Sequence, residues 1–203
     1  MKKLLIIAIC LFSMSPFVKA QMFNVNYQMS IPFGEVKDFT DKTSFRGFDM
    51  GYHYFLSDCF SVGGALGWNT FYEEEKDVTG YFNFNKNDDV YAITGHQYRY
   101  INTVPMLAIG RYYMTGNDGS IRPFVGLGLG TQWTEKRLDV GLYSSTISRW
   151  QFSVNPEIGA CIPINEQFAA NVGVRYNYAT KAANGRIPEF QSLTFNIGII
   201  LMR

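Results

Sequence analysis

From residue 149 to 162 every second side chain is apolar. Trp150, Phe152, Val154, Pro156, Ile158, Ala160 and Ile162 fall on one face; Arg149, Gln151, Ser153, Asn155, Glu157, Gly159 and Cys161 fall on the other. A period of two is the pattern of a β-strand with one face in an apolar medium. Residues 168–178 repeat it, with Phe168, Val172, Val174 and Tyr176 opposing Asn171, Gly173, Arg175 and Asn177. So do 193–201 (Leu193, Phe195, Ile197, Ile199 and Leu201 against Thr194, Asn196 and Gly198) and 23–31 (Phe23, Val25, Tyr27, Met29 and Ile31 against Asn24, Asn26, Gln28 and Ser30). Noisier versions occupy 45–56, 60–72 and 121–134. An eighth segment, 98–114, is apolar on both faces around Val104 to Ile109, and its register stays open. The reading is eight strands.

The connections sharpen it. Four are long (34–44, 73–97, 135–148, 179–191) and three are short (57–59, 115–120, 163–167), in strict alternation. An even-stranded up-and-down membrane barrel with both termini on one side has that plan, with short periplasmic turns and longer extracellular loops. Past residue 20 no apolar run reaches the roughly 18–20 residues of a spanning helix. A chain of this kind crosses a bilayer as strands.

Alternation does not say which face is outside. A soluble lipocalin-like carrier also has eight strands, with its apolar face turned in on a ligand. Three features favour the membrane. The polar faces of the clearest strands hold Asn, Gln, Ser, Thr and Gly with an occasional charge and no Lys, unlike a water-exposed wall. Aromatic residues gather at strand ends: Tyr52, Tyr54, Phe60, Tyr112, Tyr113, Phe124 and Phe168 toward one, Trp68, Tyr72, Trp133, Trp150 and Tyr178 toward the other. Two such bands are expected at two membrane interfaces. Charges concentrate in the long connections, as in Glu73 to Asp77 and Glu135 to Arg137. The expected fold class is all-β: an eight-stranded antiparallel up-and-down transmembrane β-barrel over residues 21–203.

Residues 1–20 read as a cleavable signal peptide. Lys2 and Lys3 precede the apolar run Leu4 to Phe12, and Val18-Lys19-Ala20 offers small residues for cleavage before Gln21. About nine apolar residues are too few to cross ~30 Å of hydrocarbon as a helix. Ile9 before Cys10 disfavours a lipoprotein signal, which wants a small residue there. The mature chain keeps 15 of the 18 basic residues against all 17 acidic ones, a formal charge of −2, so nothing calls for nucleic acid. The expected location is the outer membrane, with both mature termini periplasmic and outer-membrane lipid around the wall.

Val104-Pro105-Met106-Leu107 running to Tyr112-Tyr113, Arg122-Pro123-Phe124-Val125-Gly126-Leu127-Gly128, and the Asn- and Gly-bearing strands at 153–159 and 171–176 resemble the small outer-membrane β-barrel families typified by the OmpA barrel, OmpX and OmpW. The resemblance runs through the mature chain. It implies an eight-stranded barrel, assembly by the outer-membrane insertion machinery and usually no enzymatic activity. One departure is the ending Ile200-Leu201-Met202-Arg203, where such barrels commonly place an aromatic residue.

Few residues invite chemistry. Glu157 and Arg175 fall on the polar faces of adjacent strands, and a hairpin centred near Asn165 sets Glu157 opposite Gly173 and diagonal to Arg175. They are read as a lumen ion pair, a plug rather than a gate, because eight strands leave an interior that side chains fill. His53 is on the inward face and His96 in the second long connection, neither at a lipid-facing rim where a lipid-modifying enzyme needs its base. There is no Gly-x-Ser-x-Gly elbow and no His/Cys spacing for a metal. No catalytic residue, cofactor or metal ligand is therefore expected. Cys59 and Cys161 lie on strands that are not neighbours, and are expected to be free thiols at the periplasmic rim. The functional expectation is a non-enzymatic structural or surface-interaction protein acting through its long extracellular loops, foremost 73–97 with Tyr81, Phe82, Phe84 and Tyr91, toward an unknown extracellular partner. The alternatives are a narrow channel or small-hydrophobic-molecule conduit, and the soluble carrier. If Val172 faces lipid at mid-bilayer, Val172→Arg costs about 2–4 kcal/mol, and Asn171→Arg in a polar lumen is milder.

Overall fold

Eight strands alternate in direction and close on themselves in chain order: β1 (Gln21–Phe33), β2 (Ser44–Ser57), β3 (Phe60–Asn83), β4 (Val90–Tyr113), β5 (Arg122–Val140), β6 (Tyr143–Pro163), β7 (Phe168–Ala179) and β8 (Phe190–Met202). β1 pairs with β2 on one side and with β8 on the other, both antiparallel. This computed structural model describes residues 21–83, 90–115, 121–140, 143–182 and 187–203. The expected signal peptide lies outside them, as do the side chains of Tyr81, Phe82, Phe84 and Tyr91.

Closure gives every mid-strand amide a partner without water, which hydrocarbon demands. The alternation then sorts the side chains. Val25, Met50, Leu66, Met106, Leu127, Ile158, Val172 and Ile197 are exposed on the outer wall, while Asn26, Asp49, Asn155, Asn171 and Asn196 are buried inside. Apolar outside and polar inside is the reverse of a soluble carrier, and that alternative is overturned.

The open register of 98–114 is settled by pairing with both neighbours. Met106 and Tyr112 face out, while Thr103, Leu107, Ile109, Arg111 and Tyr113 face in. The segment looks apolar on both faces because the lumen itself takes Leu107 and Ile109.

The strands differ greatly in length. β3 and β4 have 24 residues each and β6 has 21, against 13, 14, 12 and 13 for β1, β2, β7 and β8. Crossing needs only about 9–11. The β2–β3 ladder stops at Gly47↔Asn69 and the β6–β7 ladder at Ser153↔Ala179, but β3–β4 continues to Asn83↔Val90 and β5–β6 to Val140↔Tyr143. Strands β3 to β6 therefore rise past the barrel as a four-stranded sheet. The connections expected at 73–97 and 135–148 are largely strand. Apolar alternation fails there because neither face of the raised sheet meets lipid.

The interior is layered. At the end bearing the termini, Met22, Phe55, Tyr113, Phe124, Cys161, Ala169 and Ile200 form an apolar cluster. At the other mouth Val36, Phe71, Ile101, Ala179 and Phe190 form a second, with Phe39 against it. Polar and charged side chains fill the space between. Tyr113 and Phe124, expected in the outer aromatic band, instead point inward and meet at a tilt of 55° with ring centroids 5.7 Å apart. Tyr52, Phe60, Tyr112 and Phe168 remain on the outside at that end, with Trp68 and Trp150 at the other. A Cβ on Gly63 would sit 1.9 Å from the Tyr52 carbonyl oxygen, so only glycine permits this approach of β2 and β3.

Candidate functional site: a plugged lumen under a capped mouth

Four charges from four strands meet in the middle of the lumen. Glu157 of β6 accepts from Arg111 Nε of β4 at 2.5 Å, and from Arg175 Nε and Nη2 of β7 at 2.9 and 2.8 Å. Arg175 Nη1 donates across the lumen to Asp49 Oδ2 of β2 at 2.7 Å. Asp49 also accepts from Asn26 Nδ2 at 2.6 Å and Gln28 Nε2 at 3.2 Å. Asn171 Nδ2 donates to Asn26 Oδ1 at 2.7 Å, and Gln28 Nε2 to Asn196 Oδ1 at 2.9 Å. The quartet balances two guanidiniums with two carboxylates, as burial of charge requires. His53 is buried in the lumen, and neither ring nitrogen has a hydrogen-bond partner among the described residues.

The charged layer is sealed on both sides. Below it, the Arg111 guanidinium lies over the Phe124 ring at 4.5 Å, joining ions to apolar cluster. Arg122 lies over Tyr113 at 4.8 Å and donates through Nη2 to the Asp58 carbonyl at 2.8 Å. Above it, residues 34–43 fold across the mouth. Gly34, at φ +57°, turns the chain off β1 into a short 3-10 turn that inserts Val36. Phe39 follows, with Lys136 Nζ 3.9 Å from its ring centroid and Arg99 Nη1 donating to its carbonyl at 3.4 Å. Glu35 meets Lys181 of the β7–β8 connection at 2.7 Å, and Asp41 N donates to Glu73 Oε2 at 2.9 Å. The hydrogen bond from Lys181 holds the Glu35 carboxyl below its ordinary value, and the same bond raises the Lys181 ammonium above its own. Among Val36, Phe39, Ile101, Ile187 and Phe190 a gap of only about 10 Å³ remains.

The two predicted site residues are thus adjacent, with one adjustment. The β6–β7 pairs centre the hairpin at Glu166, not Asn165, so Glu157 lies directly opposite Arg175 and Gly173 opposite Gly159. Sequence reasoning misses their partners Asp49 and Arg111. Asp49 is one polar residue of a noisy strand, and Arg111 lies in the segment of open register. Cys59 and Cys161 are free, but Cys161 is buried in the lower lumen cluster rather than at a rim. His96 is exposed, 4.0 Å from Glu74.

A closed, antiparallel, polar-cored barrel with an apolar wall defines a small transmembrane β-barrel. The chain belongs to the family of outer membrane protein beta-barrel domains, which it matches over residues 4–200. Among solved structures it is similar to Ail, the attachment invasion locus protein of Yersinia pestis: TM-score 0.54 and 14% identity over 91% of this chain and 98% of that one. It is similar also to the outer membrane protein OprG of Pseudomonas aeruginosa, with TM-score 0.51 and 14% identity over 91% of this chain and 95% of that one. At that identity the likeness speaks to fold. No curated protein sequence matches the chain.

Proposed function

We propose that this protein is a non-enzymatic, non-conducting outer-membrane barrel that serves as a pedestal for an extracellular interaction surface, with both termini in the periplasm. The observation that carries this reading is the four-stranded sheet β3–β6 raised above a barrel whose lumen is filled. Extending strands by about ten residues beyond the membrane serves no purpose in spanning it. The raised sheet also presents what a recognition surface needs. On its outward face Tyr72 lies 5.0 Å from Tyr100 and 6.4 Å from Tyr98, centroid to centroid, and such rings give large contact area at small entropic cost. Phe152 is the last residue of this edge tied to the β7 side, its carbonyl accepting from Thr180 N at 2.9 Å, and beyond it β6 has no strand partner on that side among the described residues, which suits an added extended strand.

The filled lumen supports the non-conducting part. Ions crossing it would have to displace two apolar clusters as well as break the quartet. The non-enzymatic part is supported by where the histidines lie, His53 sealed inside and His96 in solvent. Assembly by the outer-membrane insertion machinery and a lipid-covered wall follow from the same reading.

Deletion of 77–95 tests it. Cells carrying the shortened sheet are expected to lose binding to a surface partner while the barrel keeps its heat-modifiable gel shift. The purified wild-type barrel is expected to stay silent in planar bilayers. Unchanged adhesion, permeability and stability after the deletion would remove the interaction role, and steady single-channel currents would establish the conduit instead.

A further inference from the structure

One concave site on the outer wall is used neither by the lumen plug nor by the raised sheet's tip. Following outward residues toward the raised sheet, β2 passes from Met50 to Phe48 to Arg46, and β3 from Leu66 to Trp68 to Thr70. β5 passes from Leu129 and Thr131 through Trp133 to Glu135 and Arg137. Apolar gives way to polar at one level on all three strands, the level at which hydrocarbon ends and headgroups begin. There the wall is indented by a groove of about 760 Å³.

The groove's lower lip is aromatic. Phe48 and Trp68 meet edge to face with centroids 6.0 Å apart, and both are nearly half exposed. Its upper wall is polar. The Arg46 guanidinium lies over the Tyr72 ring at 5.4 Å, with no carboxylate in salt-bridge reach among the described residues. Arg137 is held by Asp139 at 2.9 Å, and Asn102 donates to Glu135 at 3.2 Å, so carboxylate oxygens that can accept from hydroxyl groups line this wall. Directly below, on the same strands, runs an apolar trough of about 640 Å³ between Phe23, Met50, Leu66 and Met106. The absent side chain at Gly64 deepens it, since nothing but the Leu107 carbonyl oxygen, at 3.5 Å, approaches the place of its Cβ.

We propose that groove and trough together bind one phosphorylated glycolipid of the outer leaflet. A guanidinium without a carboxylate partner suits a phosphate, and aromatic faces suit the C–H face of a sugar ring, their quadrupole being negative there. The carboxylate-bearing pairs accept sugar hydroxyls, and the trough receives an acyl chain. Continuity with the lipid-covered wall commits the site to a membrane-resident ligand, and the requirement for both sugar and phosphate distinguishes it from a plain phospholipid. The proposal rests on the orientation given above, which places this groove in the outer leaflet.

The test is native mass spectrometry of the folded barrel titrated with diphosphoryl lipid A, in competition with phosphatidylglycerol. Loss of one charge-assisted contact predicts that Arg46→Glu lowers lipid A binding about tenfold. Gly64→Leu, which fills the trough without touching a charge, is expected to lower it as well, and Arg149→Glu, outside the groove, to leave it unchanged. Each variant is first checked for its heat-modifiable shift, and Arg46→Gln is read if Arg46→Glu does not fold. Equal lipid A binding by wild type and the Arg46 variant overturns the proposal, as does equally effective competition by phosphatidylglycerol. Orientation is read separately, by protease cleavage of the β3–β4 hairpin on intact cells, so its failure and that of the lipid site are told apart.

Discussion

Replacing Glu157 by Gln is expected to be among the most damaging single changes in the lumen, although it removes only one charge. The carboxylate takes three hydrogen bonds from two guanidiniums, at 2.5, 2.8 and 2.9 Å, with its side chain 3% exposed. The amide keeps one acceptor but turns a donor toward other donors. The layer then holds Arg111 and Arg175 against Asp49 alone, a net positive charge with no route to solvent. Removing one partner of a buried ion pair costs about 3–5 kcal/mol, a large share of the roughly 5–15 kcal/mol of a typical domain. With a urea dependence of about 1–3 kcal/mol per molar, the unfolding midpoint should fall by at least about 1 M. The assay is urea unfolding of the barrel refolded in phospholipid vesicles, followed by tryptophan fluorescence with the gel shift as a second probe. The decisive comparison is Glu157→Gln with Arg111→Met. The pair leaves Arg175 facing Asp49 in a neutral layer, and more than half of the loss should return. A single variant within about 1 kcal/mol of wild type, or a double variant that loses the sum of the singles, would refute the charge-balance reasoning.

Three further outcomes are expected. Val172→Arg puts a cation on the lipid face and should cost about 2–4 kcal/mol at mid-bilayer; Asn171→Arg, milder on the sequence reading, should match it, because Asn171 is packed against Asn26 in a filled and neutral lumen, and good tolerance of that substitution would show the lumen to be open. Gly63→Ala should cost about 1–3 kcal/mol by overpacking while its outward neighbour Gly64→Ala is near neutral in the same urea titration, since their added Cβ atoms meet backbone oxygen at 1.9 and 3.5 Å respectively. The mouth cap should loosen at both pH extremes: the Glu35 contribution holds above its ordinary 4.5 and is lost as pH falls through the lowered folded value, whereas that of Lys181 holds below its ordinary 10.5 and is lost as pH rises through the raised one. Amide exchange of 34–43, corrected for intrinsic rates, should therefore be slowest near neutrality, and a flat profile would discount the Glu35–Lys181 tie.

What can be read from sequence follows the media that the strands traverse. In the lipid belt one face meets hydrocarbon and the other a polar lumen, so period two is written into residues such as Phe195, Ile197 and Ile199 against Thr194, Asn196 and Gly198. Where a strand leaves that boundary the pattern lapses without the strand ending. Residues 73–83 of β3 and 135–140 of β5 carry runs of charge because both faces have left lipid, and such runs imitate loops. The opposite failure occurs where the lumen turns apolar, at Leu107, Ile109, Tyr113 and Phe124, so that inward aromatics imitate an interfacial band. The outer-wall groove leaves no sequence signal, because Arg46, Trp68 and Arg137 come from three strands and share only a height.

The ion quartet also explains how the register is held, a problem that burial of apolar surface cannot solve in lipid. Lipid chains are as apolar as the outer wall, so sliding one strand by two residues keeps every apolar side chain outside. Inside, the same slip is costly. Moving β7 by two residues against β6 would set Glu157 opposite Gly173, the arrangement suggested by the turn sequence alone, and would withdraw Arg175 from both Glu157 and Asp49. Because the four charges belong to β2, β4, β6 and β7, one misplaced strand unbalances them all. We therefore place the specificity of closure in the lumen: the wall chooses the membrane, and the charges choose which residues face one another.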